Sequence, residues 1–199
     1  MKIIGLCGGS GSGKSEVCSF VISLGIPVID ADAVYHEITS KEGQCLEQLR
    51  LEFGDEIISC GALDRKALSK IVFESGEPKK IFARLNSITH PYVLSSIEDS
   101  LRKYECEGKE FCFVDIPLLF ESGFDKECDL IVSVIANKAI RIDRIMKRDS
   151  ISYEAASERV NAQNPDEFYA DRSDFVFYNN SDLDEFEKQV LATFPNKLK

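Results

Sequence analysis

The sequence predicts an α/β fold of three layers, a parallel sheet covered by helices on both faces, and three observations carry that prediction. Short apolar runs of strand length alternate with longer stretches of helical periodicity. A glycine-rich segment, GGSGSGKS at residues 8–15, stands between the first such run and the first helical stretch. Strand, loop, helix and second strand then fit within about thirty residues, the scale of a crossover unit.

Residues 2–6 (KIIGL) form the first strand, because the apolar run breaks at Gly5 and again at the glycine segment, too early for a secretory core. Residues 14–24 read as helix, ended by Gly25, a residue free to take positive φ. Residues 27–29 make a second strand that runs out at Asp30 and Asp32. Apolar positions at Val34, Ile38, Leu46, Leu49 and Phe53 predict helix over 34–58. More helix follows over 63–104, with breaks near Gly76-Glu77-Pro78 and at His90-Pro91. No strand run crosses those positions, so the segment of about 61–105 reads as a helical insertion between sheet strands. FCFVD at 111–115 and LIVSV at 130–134 are continuous apolar runs, as parallel strands buried between helix layers are. By composition, Leu118 to Phe120 belong to the core. Helices over 138–147 and 153–163, a last strand at 175–177 and a closing helix over 182–194 complete the alternation, with Asp182-x-x-Glu185 as a capping signal. Residues 1–199 are expected to form a single domain.

Composition narrows the function classes. Of 199 residues, 44% are hydrophobic and 29% charged, the balance of a globular protein, and no apolar run is long enough to cross a bilayer. A formal charge of −10 repels nucleic acid, so neither a nucleic-acid nor a membrane partner is expected. Seven cysteines, at 7, 18, 45, 60, 106, 112 and 128, are odd in number and have neither metal-knuckle nor C-x-x-C spacing. That pattern suits reduced, mostly buried thiols in the cytoplasm.

The glycine segment contains Gly8-x-x-x-x-Gly13-Lys14-Ser15, the spacing of a phosphate-binding loop. Glycines let backbone N–H groups turn inward around an anion, and the helix that starts near Gly13 adds its positive end. Lys14 offers a mobile charge to the β- and γ-phosphates, and the Ser15 hydroxyl can ligate Mg²⁺. A plain glycine turn has no use for Lys and Ser at those positions. A GTP switch protein would carry Asp-x-x-Gly, and no Asp here has Gly three residues later. Asn137-Lys138-Ala139-Ile140 likewise ends in Ile where a guanine reader has Asp.

A small-molecule kinase needs an acid beside the acceptor hydroxyl and cations over the transferred group. Asp30 and Asp32 lie just beyond the second strand, at the strand end where ligands collect in open α/β sheets. Asp32 is the candidate that takes or orients the acceptor's proton, and Asp30 the candidate helix cap. Arg141, Arg144 and Arg148, three and then four residues apart, share one helical face. They can pair with Asp143 and Asp149 as a solvated face, or cover phosphates as a lid over about 139–165, the reading preferred here, with Arg141 its weakest member. His36 reads as a helix-surface residue without a role, and His90 as a helix-end hydrogen-bonding group before Pro91.

GLCGGSGSGKS at 5–15, VIDAD at 28–32, LDR at 63–65, LNSITHP at 85–91, PLLFES at 117–122, RIMKRD at 144–149 and NN at 179–180 occur in an order and spacing that resemble the dephospho-coenzyme A kinases, from residue 5 to about 190. The resemblance implies a P-loop kinase fold with a helical substrate-binding insertion and a lid. It implies transfer of the ATP γ-phosphoryl group to the ribose 3′-hydroxyl of dephospho-coenzyme A. By the same resemblance Asp32 is the base, with Lys14, Arg144 and Arg148 as the other catalytic residues. Gly9, Ser10, Gly11, Ser12, Gly13, Lys14, Ser15, Glu16 and Asn179 would contact ATP. Arg65, Asn86, His90, Pro117 and Glu121 would join Asp32 on the acceptor side, and Asp115 would join Ser15 at Mg²⁺ through water. ATP, Mg²⁺ and the acceptor are thus the expected small-molecule partners of a monomer or small homo-oligomer.

The chain departs from the family pattern at Cys7 (usually Thr), Ser10 (commonly Ile), Glu16 (usually small) and Arg172-Ser173-Asp174 (usually Ala-Asp). Two other readings of the loop are a nucleoside or nucleoside monophosphate kinase and a non-catalytic ATP-binding regulator. The large helical insertion argues against the small closed pocket of the first. Asp32 argues against the second, which needs no base.

Overall fold

The structure, a computed structural model, describes residues 1–180 and 183–193. The chain begins with β1 (Lys2–Cys7), α1 (Lys14–Ser23), β2 (Val28–Asp30), α2 (Ala31–Thr39) and α3 (Gln44–Phe53). Next come β3 (Ile58–Ser59), β4 (Ala62–Leu63), α4 (Arg65–Glu74), α5 (Pro78–Cys106), β5 (Phe111–Asp115) and α6 (Leu119–Ser122). It closes with β6 (Leu130–Ile135), α7 (Lys138–Asp149), α8 (Tyr153–Asn161), α9 (Asp166–Ala170), β7 (Phe175–Tyr178) and α10 (Leu183–Thr193). The proposed cap Asp182 and the expected last helical residue, Phe194, lie outside the described residues.

The residues divide into two compact units, 1–29 with 104–199, and 30–103. The first is built on a five-stranded sheet in the order β2-β5-β1-β6-β7. β1 runs parallel to both β5 and β6, and β6 parallel to β7. Period-two alternation then sorts β1 between two layers. Ile4 and Leu6 pack with Val17 and Val21 of α1 and Phe186 and Val190 of α10. Gly5 faces the other way, where an added Cβ would lie 2.8 Å from the Cys128 sulfur and 3.1 Å from Leu119 of α6. Helices therefore cover both faces, which is the three-layer arrangement expected. β5 is buried along Phe111, Cys112, Phe113 and Val114, as a strand sandwiched between layers must be. Each such apolar side chain contributes roughly 1.5–3 kcal/mol by leaving water.

Helices α7 and α8 form a hairpin whose apolar seam is Ile142, Ile145, Ala156 and Val160. Ser150, in the left-handed conformation at φ 54°, ends α7, and the Ser152 hydroxyl caps α8 by accepting from the Ala155 amide. The short helix α9 adds to the predicted elements, and Leu118, expected in the core with Leu119 and Phe120, is exposed. Only its neighbour Leu119 turns into the sheet.

The second unit packs α2, α3, α4 and α5 around Cys45, Leu49, Ile57, Leu68 and Leu85. Three local expectations fail there. The single helix over 34–58 is two helices separated by residues 40–43. Between α3 and α4 lies a two-stranded antiparallel hairpin, β3 with β4, turned by Cys60 and Gly61 at φ 51° and 77°. Two residues per strand are too few to show a period, whereas the paired positive φ angles mark a tight hairpin turn. Finally, α5 runs unbroken through Pro91 for 29 residues. The amide that proline lacks is offset by the burial of Leu85, Thr89, Ile97 and Leu101 along one seam of that helix.

Candidate functional site

The loop between β1 and α1 turns on glycine. Gly13 is the N-cap of α1 in the left-handed region, φ 103°, and a Cβ there would collide with the Asn179 amide. Gly11, at φ 77°, lies against the Arg141 backbone, 2.7 Å from an added Cβ to its carbonyl. Within the loop the Ser12 amide donates to the Gly9 carbonyl at 3.1 Å. The Lys14 ammonium donates to the Gly8 carbonyl at 3.2 Å and stands 4.0 Å from the Asp115 carboxylate at the end of β5. Lys14 is thus folded back over its own loop between two fixed anchors.

All three arginines of α7 face this loop, as their spacing predicts. Arg141 is 4% exposed and fully engaged: Nε donates to the Ser10 carbonyl at 3.0 Å, Nη1 to Asp166 at 3.1 Å and Nη2 to Gln163 at 2.5 Å. Gln163 also accepts from the Ser10 amide at 2.9 Å. The member read as weakest is therefore the brace of the set. Its recruitment of Gln163 and Asp166 had no counterpart in the sequence, because neither residue type nor spacing marks them. Arg144 donates to the carbonyls of Gly11 and Ser12 at 3.3 and 3.2 Å, and to Asn179 at 3.1 Å. Arg148 reaches the Ser10 hydroxyl at 3.2 Å while paired with Asp149 at 2.8 Å. Asp149 in turn pairs with Arg159, and Arg148 ahead of the other contacts holds its carboxyl below the usual range. Asn179, buried after β7, closes the loop by donating to the Ser12 carbonyl at 3.0 Å. A chain with an excess of acids thus gathers four cations around one loop.

The loop's oxygen donors suit a small hard cation. The Ser15 hydroxyl donates to the Glu16 carboxylate at 3.3 Å, and Asp115 sits beside Lys14 while accepting from the Cys18 thiol at 3.8 Å. Among the described residues there is no cluster of three His, Cys, Asp or Glu side chains that could cage a metal. Mg²⁺ needs none, because phosphates and water complete its octahedron beside one or two protein oxygens. In the same unit Glu121 of α6 accepts from Asn164 at 3.0 Å, and Pro117 is exposed.

In the unit of residues 30–103, the Asp30 carboxylate caps α2, accepting from the amides of Asp32 and Ala33 at 2.8 and 3.1 Å. Asp32 is exposed, and its carboxylate has no hydrogen-bond partner among the described residues. Asp64 caps α4 in the same way, which places Arg65 at the first helical position. Arg65 donates to His36 Nε2 at 2.8 Å and stands over the Tyr35 ring at 5.9 Å. Burial pushes the Tyr35 phenol up, and Arg65 partly offsets it. The other arginines of this unit are matched to acids: Arg50 to Glu47 and Asp55, Arg84 to Glu52, Arg102 to Glu98 and Asp99. Among the described residues Arg65 has no carboxylate partner. Asn86 and His90, half-buried, lie one turn apart on α5, and no hydrogen bond joins either to Arg65 among the described residues.

The family profile described as Dephospho-CoA kinase matches residues 2–185. The Dephospho-CoA kinase of Listeria monocytogenes is 36% identical over 192 residues, spanning 96% of this chain and 94% of that protein. That of Fusobacterium nucleatum is 38% identical over 191 residues, spanning 96% and 95%. Among solved structures, the dephospho-CoA kinase from Campylobacter jejuni superposes with a TM-score of 0.72 at 31% identity, covering 98% of this chain and 96% of that one.

Proposed function

The chain belongs to the dephospho-CoA kinase family, and from that premise we propose which of its residues carry the reaction. The reaction transfers the γ-phosphoryl group of ATP to the ribose 3′-hydroxyl of dephospho-coenzyme A, giving ADP and coenzyme A, the last step of coenzyme A biosynthesis. Phosphoryl transfer leaves little covalent work to the protein, so positioning and charge carry the catalysis. Lys14, anchored at the Gly8 carbonyl and Asp115, meets the β- and γ-phosphates at the start of α1. Arg144 and Arg148 add charge over the same loop, and their convergence with Lys14 is the observation on which this reading rests. Asn179 and the loop residues from Gly9 to Glu16 complete the ATP side.

The Ser15 hydroxyl and, through water, the Asp115 carboxylate would hold Mg²⁺. Bound there, the ion neutralises charge on the phosphate oxygens. Asp32 takes the proton of the acceptor hydroxyl, and its uncommitted carboxylate supports that role. Arg65, Asn86, His90, Pro117 and Glu121 line the acceptor side, the helical segment of about 61–105 serves as the acceptor-binding insertion, and the α7–α8 hairpin is the lid. No helix among the described residues is long and apolar enough to cross a membrane, and we place the enzyme in the cytoplasm, which agrees with the exposed, unbridged thiols of Cys60 and Cys106.

Arg144→Lys tests the phosphate-side reading. The charge stays, but the planar fork that spans the Gly11 and Ser12 carbonyls and Asn179 is lost. With ATP, Mg²⁺ and dephospho-coenzyme A, kcat is expected to fall at least roughly tenfold. Parental kcat in both Arg144→Lys and Arg148→Lys would reduce these arginines to struts of the loop with no part in covering the phosphates.

A further inference from the structure

An arginine that is to bind an anion must be held in place without being neutralised. Carboxylates hold arginines best, yet each such pair uses up the charge. The unit of residues 30–103 pairs Arg50, Arg84 and Arg102 with acids and gives Arg65 two neutral partners instead, His36 and Tyr35. The carboxylates nearest in sequence are occupied elsewhere. Asp64 caps α4 through the amides of Lys66 and Ala67, and Glu37 pairs with Lys41 at 2.8 Å.

We infer that His36 is a positioning residue for acceptor binding, holding Arg65 through a hydrogen bond to its Nε2 so that the guanidinium charge is left for an anionic group of the acceptor. The inference rests on the reading of Arg65 as an acceptor contact and adds to it the group that orients the arginine. Its chemistry follows from the donor inventory. A guanidinium only donates, so at 2.8 Å the His36 Nε2 must be the acceptor, and the imidazole is neutral with its proton on Nδ1. The Tyr35 ring supplies a second, electrostatically attractive surface at 5.9 Å. Tyr35 and His36 follow Asp32 by three and four residues on α2, so all three share one helical face. Arg65 is thereby held on the side of α2 that carries the proposed base. An acceptor whose phosphate meets Arg65 is registered against Asp32 by a single helix turn.

The experiment is a steady-state comparison of the parent with Arg65→Ala, His36→Ala, His36→Gln and the double variant His36→Ala/Arg65→Ala, measuring kcat and the KM of each substrate. His36 is exposed, so its replacement leaves the core intact, and an unchanged ATP KM reports an intact fold. His36→Ala is expected to raise the KM for dephospho-coenzyme A about 3- to 10-fold, the effect of one lost orienting hydrogen bond, while the ATP KM stays put. His36→Gln, whose amide oxygen can accept from Arg65, should return the acceptor KM to within about twofold of the parent. The double variant should match Arg65→Ala alone, because a positioning residue has nothing left to position. If Arg65→Ala raises the acceptor KM but His36→Ala does not, or if the two effects multiply, His36 does not act through Arg65 and the inference is overturned. If Arg65→Ala itself leaves the acceptor KM unchanged, the acceptor reading of Arg65 falls and this inference with it.

Discussion

Asp30 and Asp32 are the same residue type two positions apart, and the backbone gives them different work. Asp30 has extended dihedrals and accepts two amide hydrogen bonds, so replacing it with Ala should lower stability by about 1 kcal/mol, the usual cost of a lost N-cap. Asp32→Asn keeps size and shape but removes the proposed base. It should leave the thermal melt unchanged and lower kcat roughly 10² to 10⁴-fold, which parallel kinetic and melting measurements on the two variants will separate. A fall in kcat for Asp30→Ala with none for Asp32→Asn would exchange the two roles. Lys14→Ala removes the ammonium from the proposed phosphate site and should lower turnover sharply, and near-parental turnover at saturating ATP would contradict that role. The capping role of Asp30 is legible in VIDAD, because capping is local grammar. The task of Arg141 was not, since its partner carbonyl at Ser10 lies 131 residues away.

At the scale of elements, α7 matters through the face it presents. Arg141, Arg144 and Arg148 contact the glycine loop, while Ile142 and Ile145 pack in the hairpin seam with α8. Arg141→Met would keep much of the buried volume but strand the Ser10 carbonyl, Gln163 and Asp166 without their common donor. A loss of about 3 kcal/mol is expected by urea unfolding, together with a raised ATP KM as the loop loosens. An unchanged unfolding midpoint would mean that the brace is redundant. The run FCFVD is unambiguous because burial on both faces leaves no polar position before its last residue, Asp115, and β5 begins and ends where that run does. The β3–β4 hairpin escaped because two-residue strands have no period. Local sterics at Pro91 predict a break, whereas the packed seam of α5 carries the helix through.

At the scale of the whole molecule, burial of thiols couples stability to alkaline pH. Burial pushes Cys7 up to about 11, and Cys112 and Cys128 up to about 12, with nearby Asp125 and Asp129 adding to the effect at Cys128. The folded protein therefore holds these protons more tightly than the unfolded chain does. Their contribution to stability is intact below about pH 9 and is lost as the pH climbs from there through 11 to 12. Melting temperatures should fall across that window, and less steeply in Cys112→Ala, which has no proton to lose. Equal slopes would assign the alkaline loss to other groups. What the sequence determined by itself was the three-layer α/β class, the phosphate loop, the capping aspartate and the common face of the arginines. Those signals reside in spacing and periodicity, which operate over a few residues along one chain segment. What only the tertiary structure decided was how each cation is held: Arg141 by the Ser10 carbonyl, Gln163 and Asp166, Arg144 by the Gly11 and Ser12 carbonyls, and Arg65 by a histidine that leaves its charge unpaired. Whether a charged side chain braces the fold or remains available for a ligand depends on its partners in space, and most of those partners come from distant parts of the chain.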